Sequence, residues 1–111
     1  MAEPRMTMTT LKVLGVLLDD PTAEHYGLEI AKAAGLASGS LYPILARLEQ
    51  AGWIQGSWED VDPVAAGRRP RRYYRLTPHG VECARQARED AQRALWPTLY
   101  PQPSPSGQAI G

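Results

Sequence analysis

Arg68, Arg69, Arg71, Arg72 and Arg75 fall within eight positions of this 111-residue sequence, the densest concentration of reactive side chains in it. A guanidinium group is planar, permanently charged and carries several donors, so a run of them suits phosphate oxygens or the edge of guanine. The plainer alternative is a solvated loop whose arginines pair with Glu59, Asp60 and Asp62 across a turn. Other chemistry-bearing residues are scattered. His25 and His79 stand apart, without metal-ligand spacing, a glycine-rich phosphate loop or a carboxylate pair nearby, so no enzyme, metal site or cofactor is expected. His79 reads as a surface residue. Cys83 is the only cysteine, which rules out an internal disulfide or a cysteine-based zinc site and fits a reducing compartment. It reads as a buried, inert thiol, with a redox-sensing thiol beside Arg85 as the other reading.

The cations carry more information by position than by sum. Twelve basic and 12 acidic side chains give a net charge of zero, which alone argues against a general polyanion binder. Residues 1–62, however, hold four basic and nine acidic groups, whereas residues 63–111 hold eight basic and three acidic ones. A neutral chain with one short basic segment has a local electrostatic footprint for nucleic acid. Ten of the 12 cations are Arg, a bias that phosphate recognition and a GC-rich coding sequence would both produce.

These arginines need a scaffold, and the composition bounds it. A chain of 12.2 kDa with 43% hydrophobic and 22% charged residues is one globular domain. No apolar run approaches the ~20 residues that cross a bilayer. Residues 1–8 lack the basic-then-apolar layout of a signal peptide, so they read as an N-terminal extension of a cytoplasmic protein with no membrane partner.

Residues 9–18 are apolar almost all round after a threonine, which predicts a short buried helix ended by Asp19, Asp20 and Pro21. A second helix is predicted from about Glu24 to Ala34, with Gly35 as its left-handed cap. Three residues later a third begins at Ser38 or, preferably, Ser40, because Ser40 as cap puts Pro43 inside the first turn. Leu41, Ile44, Leu45 and Leu48 form its apolar stripe and Gly52 stops it. Two short helices around such a turn make a helix-turn-helix candidate. Trp53–Glu59 and Arg71–Leu76 read as two strands of a hairpin whose 11-residue tip, Asp60–Pro70, is far longer than usual. Thr77-Pro78 opens a fourth helix running to about Leu95, and the prolines at 97, 101, 103 and 105 mark 97–111 as a flexible tail. The expected fold is mainly α with a two-stranded β-hairpin wing, a winged helix-turn-helix over 9–76 followed by one helix over 77–96.

Several blocks then carry a resemblance. Tyr26-Gly27-Leu28-Glu29-Ile30, Gly39-Ser40-Leu41-Tyr42-Pro43-Ile44-Leu45, Arg47-Leu48-Glu49, Gly52-Trp53-Ile54 and Arg71-Arg72-Tyr73-Tyr74-Arg75-Leu76-Thr77-Pro78-His79-Gly80 together resemble the PadR family of transcriptional regulators, over roughly residues 10–95. The sequence departs from larger members in a shorter turn between helices two and three and in a single C-terminal helix. The resemblance implies a DNA-binding regulator that works as a dimer, and some such regulators bind planar aromatic compounds at the dimer centre.

On a wheel of roughly 100° per residue, Gly39, Pro43, Ala46, Arg47 and Gln50 lie opposite the apolar stripe of the third helix, with Tyr42 on its flank. Small residues at the start let such a helix enter a major groove. Ser38, Ser40 and Tyr42 are the candidate phosphate contacts there, and Arg47 and Gln50 reach base edges or backbone. Lys32 adds a phosphate contact, and Arg68, Arg69, Arg71 and Arg72 on the wing follow the minor groove. Each has a plainer reading: exposed charges for Lys32 and Arg47, packing on the second helix for Tyr42. One recognition helix reads too few base pairs for useful specificity, so the expected partner is double-stranded DNA bound by a homodimer on an inverted repeat, as a repressor. Ala84, Ala91, Leu95, Trp96 and Leu99 are the candidate dimer contacts, against the alternative that their stripe packs on its own domain. Two other functions stay open: a winged-helix module that binds protein and not DNA, and a regulator answering to a small aromatic effector stacked on Trp96.

Overall fold

A computed structural model describes residues 4–99 and 101, without the side chain of Leu99. Helix α1 (Met8–Asp19) starts one residue earlier than the apolar run, because Thr7 caps it by accepting the Thr10 N–H at 3.1 Å. Its residues Thr10, Val13, Leu14, Leu17 and Leu18 recur at helical spacing and are buried. Strand β1 (His25–Tyr26) leads straight into helix α2 (Gly27–Ala34), closed by Gly35 at φ 68°. The left-handed cap is the one expected there, and it lets the Leu36 N–H bond the Ala31 carbonyl at 2.8 Å and turn the chain toward helix α3.

Helix α3 (Ser38–Gln50) is capped by the backbone of Ala37 and not by Ser40. Pro43 is therefore its sixth residue, and the missing N–H leaves the Gly39 carbonyl without its helical donor on an exposed face. Leu41, Ile44, Leu45 and Leu48 are all buried, as their spacing predicts. Strands β2 (Ile54–Trp58) and β3 (Arg72–Leu76) pair antiparallel from Ile54 opposite Leu76 to Trp58 opposite Arg72. The sheet order is β1-β3-β2, so the expected two-stranded hairpin carries a third, two-residue strand, with His25 opposite Tyr74 and Tyr26 opposite Tyr73. Residues expected to begin the second helix thus extend the sheet instead.

The long tip folds on itself. Asp62 Oδ1 accepts the Val64 N–H at 3.0 Å and opens a one-turn helix α4 (Pro63–Ala66), which Gly67 ends at φ 68°. Helix α5 (Pro78–Leu99) begins where Thr77 Oγ1 accepts the Gly80 N–H at 2.9 Å. It runs through Pro97, past the expected end near Leu95, because a proline in the last turn removes only the bond to the Arg93 carbonyl, which water can satisfy. Of the tail expected over 97–111, residues 97–99 are helical, and 100 and 102–111 lie outside the described residues.

The core gathers α1, the stripes of α2 and α3, Trp53, Ile54, Tyr74, Leu76 and Ala84. No helix among the described residues is long and apolar enough to cross a membrane, and no cluster among them has the side chains to hold a metal ion.

Candidate nucleic-acid interface

With its apolar stripe in the core, α3 turns Ser38, Gly39, Ser40, Tyr42, Pro43, Ala46, Arg47 and Gln50 outward, all exposed. No side chain caps the first turn of α3, and that turn is exposed and built from small residues. An anion there would meet aligned N–H groups and the positive end of the helix. Lys32, in the last turn of α2, is exposed next to this turn. Tyr42 does two things at once. Its ring lies over Gly27, where an added β-carbon would come within 2.6 Å of the hydroxyl, yet 46% of the residue is exposed. Packing on α2, hydroxyl end first, and partial exposure are both present.

The wing arginines separate into two kinds. Arg68 grips Glu59 with both Nη atoms, the Nη2–Oε2 contact being 3.0 Å. Glu59 also accepts the Arg71 N–H at 3.3 Å and the Tyr73 hydroxyl at 3.2 Å. The Arg68 hydrogen bond above all, then the Arg71 N–H, the Arg68 charge and the Tyr73 hydroxyl, hold this carboxyl at about 2 against an ordinary 4.5, outweighing the opposing effect of desolvation. The same pair raises the Arg68 pKa, and burial followed by the Glu59 charge raises that of Tyr73. Arg72 reaches back across the wing to α3, where its Nη2 donates to Glu49 Oε2 at 2.9 Å. Its guanidinium carbon stacks 5.1 Å from the Trp58 ring centre and 5.8 Å from that of Tyr74.

Arg69, Arg71 and Arg75 are exposed. Arg71 stacks 4.9 Å over the Tyr26 ring, itself edge-on to Tyr73 at 5.4 Å, which leaves its donors facing water. The expected wing set of Arg68, Arg69, Arg71 and Arg72 is therefore brought to one hairpin but not to one task. Arg69 and Arg71 present free donors, whereas Arg68 and Arg72 brace the wing. The loop acids divide likewise: Glu59 takes the arginine and Asp62 caps α4.

Between the wing and the helices, Tyr26, Leu28, Tyr42, Trp58, Arg71 and Tyr74 line a groove of about 420 Å³. Leu28 is 62% and Trp58 66% exposed on this face. Sequence reasoning missed both, since nothing in their spacing separates an outward apolar residue from a core one.

The candidate dimer contacts divide along α5. Ala84 is fully buried in the chain's own core and offers no outer surface. Ala91 and Leu95 line a second groove of about 580 Å³ between α5 and the N-terminal segment, together with Met6, Met8, Leu11, Trp53 and Cys83. Trp96 is half exposed beside it, and the Leu99 side chain lies outside the described residues. Met6 and Met8 were expected to belong to an extension; they form a wall of this groove. Cys83 Sγ stands 3.4 Å from His79 Nε2 on the same helix.

The profile of the transcriptional regulator PadR-like family matches residues 13–86. Among curated proteins none matches the chain. Among solved structures, a transcriptional regulator from Clostridium thermocellum is similar at 24% identity and TM-score 0.63, covering 86% of this chain and 93% of that one. A PadR family transcriptional regulator from Eggerthella lenta is similar at 24% identity and TM-score 0.61, over 81% of this chain and 82% of the other. Wild-type MarR from E. coli, in its apo form, reaches TM-score 0.69 at 20% identity, over 95% of this chain and 72% of its own. At these identities the likeness is one of fold.

Proposed function

The chain belongs to the PadR-like family of transcriptional regulators, and from that premise we propose that it is a sequence-specific double-stranded DNA-binding repressor acting as a homodimer on an inverted repeat. DNA-binding regulation is the business of the family, and its members are not enzymes. The observation that carries the reading for this chain is the outward face of α3, small at its start and ending in Arg47 and Gln50, beside a wing that keeps Arg69 and Arg71 open to solvent. Ser38, Ser40, Tyr42 and Lys32 position the helix on phosphates, Arg47 and Gln50 reach bases, and Arg69 and Arg71 follow the minor groove. Arg68 and Arg72 contribute from behind, through Glu59 and Glu49.

The dimer is supported by α5. The second half of this helix is exposed, with Leu95 37% and Trp96 51% accessible, next to a groove lined by methionine and alanine. A second copy laying its own α5 and N-terminal segment there would cover this surface and place two recognition helices about a two-fold axis. Repression is supported by the economy of such a dimer, because occupying a promoter needs only DNA reading and pairing. A DNA partner also places the protein in the cytoplasm, the reducing compartment that the lone cysteine fits.

Selection of bound duplexes from a random pool tests the whole reading. Enrichment of an inverted repeat supports it, and the absence of any salt-sensitive duplex binding leaves the winged-helix protein module in its place. An aromatic effector is the second reading, favoured by the room in the α5 groove. Trp53, not Trp96, lines that groove, so quenching by a bound aromatic compound should be lost in Trp53→Phe and kept in Trp96→Phe.

A further inference from the structure

Beyond Tyr73, where β1 ends its pairing with β3, the wing is a two-stranded ribbon, and such a ribbon twists and bends more freely than a wider sheet. Among the described residues, the ion pair that ties it to the recognition helix is Arg72–Glu49. Three features make this contact more than a surface pair. The Arg72 side chain is 29% exposed and lies between the Trp58 and Tyr74 rings, which fixes its path. Glu49 stands in the last turn of α3, half-buried on the flank it shares with Tyr42 two turns earlier, beside the exposed face that carries Arg47 and Gln50. Gly56, in the middle of β2, has no side chain in the way: a β-carbon there would meet Arg72 Nη2 at 2.5 Å and Cζ at 2.8 Å. A glycine inside a strand weakens it, and here its position is where the guanidinium crosses.

We propose that Arg72, held by Glu49, is a positioning residue that fixes the separation between wing and recognition helix and so makes the protein select duplexes by groove shape; the proposal rests on the DNA-binding reading above. Two contact surfaces at a fixed spacing fit only duplexes whose major and minor grooves present phosphates and bases at that spacing. A duplex of another shape must bend or the clamp must open, and either cost appears as discrimination at positions the protein does not touch. A loose wing would still find phosphates through Arg69 and Arg71 on any duplex. The clamp therefore governs preference between sequences, and the free arginines govern overall affinity.

The test compares binding to a duplex selected from a random pool by the unaltered protein with binding to a shuffled duplex of the same composition. Three variants are used: Glu49→Gln, Gly56→Ala, and the exchange of Glu49→Arg with Arg72→Glu. Gly56→Ala keeps every charge and displaces only the far end of a flexible side chain, so the fold stands, which thermal unfolding verifies. The expected result is a fall of about tenfold in the selected-over-shuffled ratio for each single variant, with the salt slope on the shuffled duplex unchanged and much of the ratio recovered in the exchange. An unchanged ratio in Glu49→Gln and Gly56→Ala overturns the proposal. So does a Glu49→Gln protein that binds both duplexes more tightly with a steeper salt slope, because Arg72 would then be a phosphate contact that Glu49 restrains. Failure of the unaltered protein to retain any duplex is a different result, and it removes the DNA-binding reading itself.

Discussion

A β-carbon on Gly80 would overlap the carbonyl oxygen of Trp53, so the first turn of α5 lies directly on the turn that ends α3. Thr77 fastens the same junction, its hydroxyl donating to the Gly52 carbonyl at 2.7 Å and its N–H to the Trp53 carbonyl at 3.0 Å. Gly→Ala inside a helix ordinarily stabilises by about 1 kcal/mol. At Gly80 the sign reverses, because the obstruction is backbone and cannot swing aside. Gly80→Ala should destabilise by about 3 kcal/mol, the upper end for overpacking, read as a lower midpoint in urea.

The Glu59 carboxyl contributes to stability with a defined pH window. Its pKa falls from 4.5 to about 2 on folding, so its contribution is complete above 4.5 and disappears as pH drops toward 2. Thermal unfolding followed across that range should fall more steeply for the unaltered protein than for Glu59→Gln, which has no proton to take up. Parallel curves would count against Glu59 as the hub of the wing.

Salt dependence of duplex binding separates the two kinds of wing arginine. Arg69→Ala and Arg71→Ala should each reduce the slope of log K against log salt by about 1, the loss of one phosphate contact. Arg68→Ala should reduce it by less, since its charge is already met by Glu59. Equal slopes for all three would show that the Glu59 pair opens on DNA.

The exposed half of α5 sets the fourth expectation. Leu95→Asp, at a residue 37% exposed beside the apolar groove, should convert a dimer into a monomer in sedimentation while leaving the urea midpoint of the isolated fold nearly unchanged. A buried charge at a subunit contact has no partner there, whereas on a solvated face it costs almost nothing.

Local rules made much of this fold legible in advance. The stripes of α1 and α3 and the cap at Gly35 follow from side-chain period and from a backbone conformation that glycine favours. Features joining distant positions did not show. His25 and Tyr26 continue smoothly into the apolar period of α2, and only pairing with Tyr74 and Tyr73 makes them a strand. Glu49 and Arg72 are 23 positions apart, and neither residue alone distinguishes a brace from a DNA contact. Asp62-Pro63 and Gly67 did carry start and stop signals for α4, but a single turn between them is shorter than helix periodicity can reveal. At the site, exposure of the α3 face followed from burial of its opposite side, while the division of labour among the arginines depended on which carboxylates the fold delivers to them.

That division has a kinetic consequence. With Arg68, Arg72 and Arg93 each paired within hydrogen-bonding distance to Glu59, Glu49 and Asp90, the field the wing offers a duplex comes from exposed Arg69, Arg71 and Arg75, and it acts over about a Debye length. A field of that reach orients the wing at close approach more than it draws the whole protein in from afar. On the DNA-binding reading, attraction of such short range means brief dwell times on wrong sites, so a protein built this way would search by frequent release and be held by how slowly it leaves the right one.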